Sequence, residues 1–268
     1  IYRKLGTKFD HFFFESETAV LGKKMVEESL KQGVFEKGDN GAIIFKGEKV
    51  GLHTRVFINA EGIPTYEAKD LALPKLKQQY VKYDKSIIIT ASEQNAYFDV
   101  MLAALKEIDP ALESRTVHIG HGMMRLPEGK MGSRTGKVVT GESLLAKAEE
   151  LIREKIKDRN FNDEEKKVVA EKVAVGAVKY SILKQSIGKD IVYDSEKSVS
   201  FDGDSGPYLQ YSLTRALSVL EKAKTEKIKA SLKNTPESLG DLERILHRFP
   251  EVVARAGKEL EPHYIAVY

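Results

Sequence analysis

The sequence of 268 residues contains no cysteine, which excludes disulfide bonds and thiolate metal sites. No stretch approaches the roughly 18 consecutive apolar residues that a membrane-spanning helix needs. The opening residues, IYRKL, include neither an initiating methionine nor the apolar core of a signal peptide. We therefore expect a cytoplasmic protein with no membrane partner, and a chain that is a trimmed piece of a longer one.

The sequence also lacks a large excess of charge of one sign. Its 43 lysine and arginine residues stand against 40 aspartate and glutamate residues. This difference is too small to predict nucleic-acid binding by itself. Local clustering is more informative, because the segment from Glu221 to Lys233 contains five lysines, the last of them Lys233. That segment is either a solvated helix face or a surface for phosphate groups.

The first half of the chain has the pattern of an α/β fold. Ser86–Thr90 is a short apolar run that predicts a buried parallel strand. A helix is predicted over Asn95–Ile108 and a second strand over Thr116–Ile119, which makes a strand-helix-strand unit of a parallel sheet. Further upstream, Ala42–Phe45 and Arg55–Ile58 predict an antiparallel pair.

The second half is predicted to be helical. Apolar residues recur at helical spacing after about residue 140. Asn162 with Glu165 predicts a capped helix start, and Gly206–Pro207 predicts another. We divide the chain into residues 1–140, with an insertion at about 20–62, residues 141–233 and residues 234–268.

Two short strings point to nucleotide chemistry. His118–His121 spells HIGH, and Lys130–Arg134 reads KMGSR and begins nine positions after the first string ends. They resemble the HIGH and KMSKS elements with which class I aminoacyl-tRNA synthetases handle ATP. Glycines flank the second string, which predicts a mobile loop. Its Lys130, Ser133 and Arg134 can hold the triphosphate of ATP and neutralise departing pyrophosphate.

Five segments, in order, resemble motifs of arginyl-tRNA synthetases and together span nearly the whole chain. They are TYEAKDLA at 65–72, SEQ at 92–94, the loop at 129–136, GAVKY at 176–180 and GPYLQYSLTR at 206–215. The loop alone is weak evidence. Five motifs in the family's order and approximate spacing are strong evidence.

The resemblance implies a fold class and a domain order. The expected fold is α/β: the second half of a class I Rossmann-type catalytic domain, with parallel strands and a small antiparallel insertion, followed by an α-helical region. Residues 141–233 would contact the tRNA stem, and residues 234–268 would begin a truncated helical anticodon-binding domain. The family's HIGH tetrad lies far upstream of the loop, so His118–His121 spells it by chance within a strand. We therefore interpret the chain as an internal fragment that lacks the HIGH-bearing N-terminal half and most of the anticodon-binding domain.

The resemblance also assigns arginine recognition to Tyr66, Asp70 and Gln94. Tyr66 and Asp70 are four positions apart, so they share one face of a helix. A carboxylate is the natural partner of a guanidinium group, and the other two side chains can accept or cover its remaining N–H groups. Asn95 is an alternative to Gln94.

ATP and tRNA contacts are implied in the same way. His121, Gly122 and Met123 are expected against adenine, and Lys130 against the phosphates. No metal-binding residue is expected. Four residues of one helix are expected to contact tRNA, although the two tyrosines among them could equally belong to the core: Tyr208, Gln210, Tyr211 and Arg215.

The implied function is ATP-dependent attachment of arginine to tRNA(Arg) through an arginyl-adenylate. ATP with Mg²⁺ is a substrate, no tightly bound cofactor is expected, and the full-length enzyme is expected to be a monomer whose partners are tRNA(Arg), arginine and ATP. One alternative is another class I synthetase, such as the cysteine enzyme, although the absence of cysteine and of paired metal ligands argues against it. The other is a non-catalytic synthetase-like module that binds tRNA or a protein.

This interpretation predicts that the 268-residue chain folds but does not form arginyl-adenylate, because half of the ATP site is missing from it. The measurement is arginine-dependent exchange of labelled pyrophosphate into ATP, with a complete arginyl-tRNA synthetase as the positive control. Robust exchange by this chain alone would overturn the interpretation as a fragment.

Overall fold

The computed structural model describes residues 1–127, 140–231, 238 and 240–268. The helices are α1 (Tyr2–Leu5), α2 (Glu15–Lys31), α3 (Tyr66–Tyr80), α4 (Asn95–Ile108), α5 (Pro110–Glu113), α6 (Gly141–Lys155), α7 (Asp163–Leu183), α8 (Ser195–Ser198), α9 (Gly206–Thr225), α10 (Asp241–Glu259) and α11 (His263–Val267). The strands are β1 (Glu36–Lys37), β2 (Ile43–Phe45), β3 (Arg55–Ile58), β4 (Ser86–Ala91), β5 (Thr116–His121), β6 (Met124–Arg125) and β7 (Ile191–Val192).

The chain divides into two compact units. The first unit comprises residues 9–122, and the second comprises residues 1–8 together with residues 123–268. The three-part division inferred from the sequence stays a prediction. None of the helices that the structure describes is long and apolar enough to cross a lipid bilayer.

The first unit contains two small sheets. β1, β2 and β3 form an antiparallel sheet with β2 in the centre. β4 and β5 are parallel, in register from Ser86 opposite Thr116 to Ala91 opposite His121, and α4 connects them. The predicted antiparallel pair, the strand-helix-strand unit and the α/β fold class are therefore confirmed.

An aromatic cluster and α4 supply most of the core of the first unit. Phe35, Phe45 and Phe57 are buried, with ring centroids between 4.8 and 6.3 Å apart. α4 buries Met101 and Leu105 at helical spacing on the same side. Each of these side chains contributes about 1.5–3 kcal/mol by leaving water. This core holds β3, α3 and α4 in place.

β4 differs from the fully buried strand that its apolar run predicts. Alternate side chains of a strand point to opposite faces. Ile88 packs against the core, whereas Ile87 is 39% exposed and Ile89 is 66% exposed. The expectation of burial on both faces is wrong, because the core of this unit lies on one side of the strand.

α2 and α3 cross closely at Gly22. A Cβ atom at this position would lie 2.1 Å from the carbonyl oxygen of Ala68 on α3. Because the obstacle is main chain, no rotamer change can relieve the contact. Gly22 therefore determines how near α3, and the side chains that α3 carries, can come to α2.

The second unit is built on paired helices and a short parallel strand pair. β6 and β7 pair through Met124 opposite Ile191. α6 and α7 pack around Ala148, Ile152 and Ala174, which are buried. Both helices begin at capped ends, and the predicted cap of Asn162 with Glu165 at the start of α7 is confirmed.

The close crossing at Gly22 predicts the outcome of Gly22→Ala. Alanine normally stabilises an exposed helix interior by about 1 kcal/mol relative to glycine. Here the substitution is expected to lower the free energy of unfolding by about 1–3 kcal/mol, since α2 must move away from α3. Urea unfolding measures the change.

Gly257→Ala is the matched control for this substitution. Gly257 lies within α10, and a Cβ atom there meets nothing within 4 Å. Gly257→Ala should therefore raise the free energy of unfolding by about 1 kcal/mol, as alanine normally does in a helix interior. Equal effects of the two substitutions would contradict the packing argument.

Candidate functional site

A cavity of about 400 Å³ with several polar and charged side chains in its walls lies in the first unit. Four elements surround it: the start of β3, the beginning of α3, the end of β4 with the turn that follows, and the start of α4. Ligand sites of α/β proteins occur at the carboxyl ends of parallel strands, which is where β4 ends here. The lining residues are Arg55, Tyr66, Glu67, Asp70, Thr90, Gln94, Tyr97 and Phe98.

The three residues assigned to arginine by resemblance meet in this cavity. Tyr66 and Asp70 share a face of α3, as their spacing predicts, and Gln94 lies in the short 3-10 turn between β4 and α4. Tyr66 is 65% exposed, and its ring lies 4.8 Å from the ammonium group of Lys69. The structure thus brings the three together, and their binding of arginine stays a prediction.

The half-buried carboxylate of Asp70 is the central group of the cavity. The Tyr97 hydroxyl donates a hydrogen bond of 2.6 Å to Asp70 Oδ2. Burial raises the pKa of the Asp70 carboxyl group, the bond from Tyr97 opposes this, and the charges of Glu15 and Glu67 add to the rise. Burial and the neighbouring carboxylate also raise the pKa of the Tyr97 hydroxyl, which therefore remains a donor.

A second carboxylate, Glu67, lies one position after Tyr66. Its Oε1 atom is 3.0 Å from Nη1 of Arg55, which belongs to β3. The guanidinium carbon of Arg55 is 5.3 Å from the centre of the Tyr97 ring. Arg55 and Tyr97 thus connect the two carboxylates of the cavity.

His118 supports the cavity from the adjacent strand. Its Nε2 atom shares a hydrogen bond of 2.8 Å with the Thr90 hydroxyl, and its ring stacks on Phe98 with 4.0 Å between centroids. Burial lowers the pKa of His118, so the ring is neutral at pH 7. His118 therefore positions two residues that line the cavity. It lies within β5, whereas a HIGH tetrad is expected at the start of a helix.

The three residues assigned to adenine lie at the end of β5 and directly after it. His121 is exposed at the end of β5, and its Nδ1 atom lies 2.8 Å from the carbonyl oxygen of Gly122, which is buried. In the second unit, the Met123 amide donates to Asp190 Oδ1 at 3.0 Å, and its side chain is 39% exposed. Their contact with ATP stays a prediction.

The three catalytic candidates of the loop, Lys130, Ser133 and Arg134, lie outside the described residues. Their role stays a prediction from the sequence.

The four tRNA candidates all lie on α9 but differ in their surroundings. Tyr208 is 40% exposed and Tyr211 is 50% exposed, so the alternative that they belong to the core is wrong. Arg215 lies with its guanidinium carbon 5.9 Å from the Tyr211 ring. Gln210 instead packs against α7, where its Nε2 atom donates to the Lys172 carbonyl at 3.5 Å.

At Gly176, two sequence motifs that are distant along the chain come into close contact. A Cβ atom at Gly176 would lie 2.7 Å from Gln210 Nε2, and one at Gly206 would lie 2.4 Å from the Gly176 carbonyl oxygen. The GAVKY segment on α7 and the GPYLQYSLTR segment on α9 therefore form one close helix crossing.

Sequence reasoning missed several residues of the cavity. Glu67 and Tyr97 had local signals, since one lies between Tyr66 and Asp70 and the other is one helical turn beyond Gln94. Arg55 had none, because only the pairing of β3 with its neighbours brings it to α3.

The fold agrees with a class I synthetase catalytic domain, and comparison with known families shows the same. Residues 3–195 match the model described as tRNA synthetases class I (R), catalytic domain. Residues 209–268 match the model of the DALR anticodon binding domain. The chain belongs to the class I arginyl-tRNA synthetase family.

Curated relatives of the chain carry the name of the same enzyme, arginine–tRNA ligase. The chain is 32% identical to the arginine–tRNA ligase of Treponema denticola and 34% identical to that of Bacteroides thetaiotaomicron, each over 277 aligned residues and all of this chain. It covers 47% and 46% of those two proteins. The chain thus spans about half the length of the curated relatives it matches.

Solved structures share the fold. The arginyl-tRNA synthetase of Thermus thermophilus superposes with a TM-score of 0.75 at 24% identity, over 99% of this chain and 51% of that one. The enzyme of Plasmodium falciparum gives a TM-score of 0.77 at 20% identity, over 100% of this chain and 46% of that one. At these identities the likeness concerns the fold alone.

The burial of Asp70 predicts how stability depends on pH. The pKa of its carboxyl group is higher in the folded protein than in an unfolded chain, so the folded state loses stability as the pH rises through that value. Asp70→Asn stays neutral and can still accept the bond from Tyr97. We expect it to raise the urea midpoint at pH 8 and to lose this advantage towards pH 4.

Asp84→Asn, at an exposed loop carboxylate, provides the control and should change the midpoint little at either pH. A gain from Asp70→Asn that is equal at both pH values would contradict the proposed role of burial.

Proposed function

We propose that this chain carries the arginine-selecting part of an enzyme that attaches arginine to tRNA(Arg). The observation that carries the proposal is the Asp70 carboxylate: it is half buried, it lines an open cavity, and among the described residues it forms no ion pair within 4.0 Å. A buried charge needs a partner. A cationic ligand supplies that partner, and the names of the relatives indicate which one.

Guanidinium fits this cavity better than ammonium. It is planar, stays charged at all relevant pH values, and presents several N–H groups in one plane. Asp70 Oδ1 accepts one of them, the Gln94 side-chain carbonyl can accept another, and the exposed Tyr66 ring offers a flat face. Lysine has one compact donor group and leaves some of these acceptors unused.

The proposed reaction has two steps. A carboxylate oxygen of arginine attacks the α-phosphorus of ATP, the bond to the β-phosphate oxygen breaks, and pyrophosphate leaves. The hydroxyl of the terminal adenosine of tRNA then attacks the arginyl carbonyl, AMP leaves, and the hydroxyl proton is released. The protein contributes by positioning and charge, with no nucleophilic side chain.

The remaining components come from the sequence and belong to the same proposal. Lys130, Ser133 and Arg134 would hold the phosphates of ATP, and Mg²⁺ would enter with ATP. His121, Gly122 and Met123 would lie against adenine. The proposed setting is the cytoplasm, with the full-length enzyme as a monomer.

The proposed tRNA surface lies on α9, which from residue 209 onwards belongs to the match with an anticodon binding domain. Tyr208 and Tyr211 are exposed and can stack on bases, and Arg215 can contact a phosphate. Lys222 and Lys224 extend the positive charge to the last turn of the helix. Gln210 would act indirectly, by seating α9 on α7.

The proposal predicts that the chain binds arginine in the first unit. We expect a dissociation constant on the order of 1 mM, equivalent to about 4 kcal/mol, from chemical-shift titration. Asp70→Asn should weaken binding about 10- to 100-fold, because it removes a charge-assisted hydrogen bond. Citrulline, which has the same shape without the charge, should bind as weakly to the unaltered chain as arginine does to the variant.

Asp84→Asn is again the matched control and should leave arginine affinity unchanged. Equal affinity for arginine and citrulline would exclude Asp70 as the selecting group. Binding of tRNA without any binding of arginine would favour the non-catalytic module.

A further inference from the structure

Two carboxylates line the cavity, and without a counter-ion they would carry more negative charge than one arginine can balance. Glu67 and Asp70 are three positions apart on α3 and both line the same space. A guanidinium ligand carries a single positive charge. Two free carboxylates would therefore hold either two cations or one cation in two alternative positions.

Arg55 compensates one of the two carboxylates. Its Nη1 atom lies 3.0 Å from Glu67 Oε1, and the side chains of the pair are only 30% and 12% exposed. Its Nε atom donates to His53 Nε2 at 3.1 Å, which fixes the plane of the guanidinium group. An ion pair this sheltered is screened less by water than a surface pair.

Tyr97 keeps the two charge sites apart. The face of its ring lies 5.3 Å from the guanidinium carbon of Arg55, while its hydroxyl donates to Asp70 Oδ2. Arg55 is thus held by Glu67 and the aromatic ring. Among the described residues, Asp70 Oδ1 accepts no hydrogen bond, and Asp70 lines the cavity.

We propose that Arg55 is a built-in counter-ion: it neutralises Glu67, so that Asp70 is the one carboxylate of the cavity without an ion pair within 4.0 Å among the described residues, and the cavity takes one guanidinium ligand. This inference rests on the proposed function for the identity of that ligand, but the pairing of Arg55 with Glu67 is independent of it. Arg55 is therefore a specificity-determining residue that acts on the charge of the site and does not touch the reacting atoms.

If Arg55 neutralises Glu67, the number of guanidinium ions that the cavity binds should depend on Arg55. Methylguanidinium, titrated into the chain at low ionic strength and pH 8 and followed by chemical shifts, should bind at a single cavity site near Asp70. Arg55→Ala should open a second site beside Glu67, because the probe replaces the missing guanidinium group. The double variant Arg55→Ala/Glu67→Gln should return to a single site.

Three further variants separate the effect of charge from an effect on folding. Arg55→Lys keeps the positive charge and should retain the unaltered stoichiometry. Asp70→Asn should lose the original site, and Asp70→Asn combined with Arg55→Ala should retain only the new one. Added probe should also raise the urea midpoint of Arg55→Ala more than that of the double variant, since ligand binding stabilises the folded state.

The outcomes distinguish this inference from the proposed function. An additional site in Arg55→Ala that disappears with Glu67→Gln supports the counter-ion, even if the unaltered chain binds no probe and the arginine proposal fails. An unchanged number of sites in Arg55→Ala overturns the counter-ion, even if the unaltered chain binds arginine as proposed.

Discussion

The hydrogen bond between Tyr97 and Asp70 is the interaction on which the arrangement of the candidate site depends. It joins α4 to α3 at 2.6 Å and satisfies one oxygen of a half-buried carboxylate. A carboxylate in this position costs stability unless it has a charged partner. None of the described residues forms an ion pair with it within 4.0 Å, and we propose that a cationic ligand takes that place.

The rest of the first unit maintains that geometry. The aromatic core fixes β3, from which Arg55 reaches Glu67, and Gly22 lets α2 approach the helix that carries both carboxylates. On the opposite wall, His118 holds Thr90 by a hydrogen bond and Phe98 by stacking. Preorganised groups of this kind recognise a charged ligand at little cost in ordering.

Local patterns were enough to predict the elements but not their environments. The spacing of Tyr66 and Asp70 predicts a shared helix face, and the strand-helix-strand order predicts the pair β4 and β5, as found. The exposure of Ile89 could not be predicted in the same way, because an apolar run does not show how many faces of the strand are covered. Gln210 lies in a motif that predicted contact with tRNA, yet its side chain packs α9 against α7.

Ordered motifs and short-range spacing were sufficient to predict the family, the strand pair β4 and β5, and three of the residues that meet in the cavity. The ion pair of Arg55 with Glu67 and the hydrogen bond from Tyr97 to Asp70 follow from the packed structure alone. Each of these contacts joins residues far apart in the chain, and their partners depend on how β3, α3 and α4 pack. The charge of the cavity is a property of that packing, since it depends on which opposite charges are brought together.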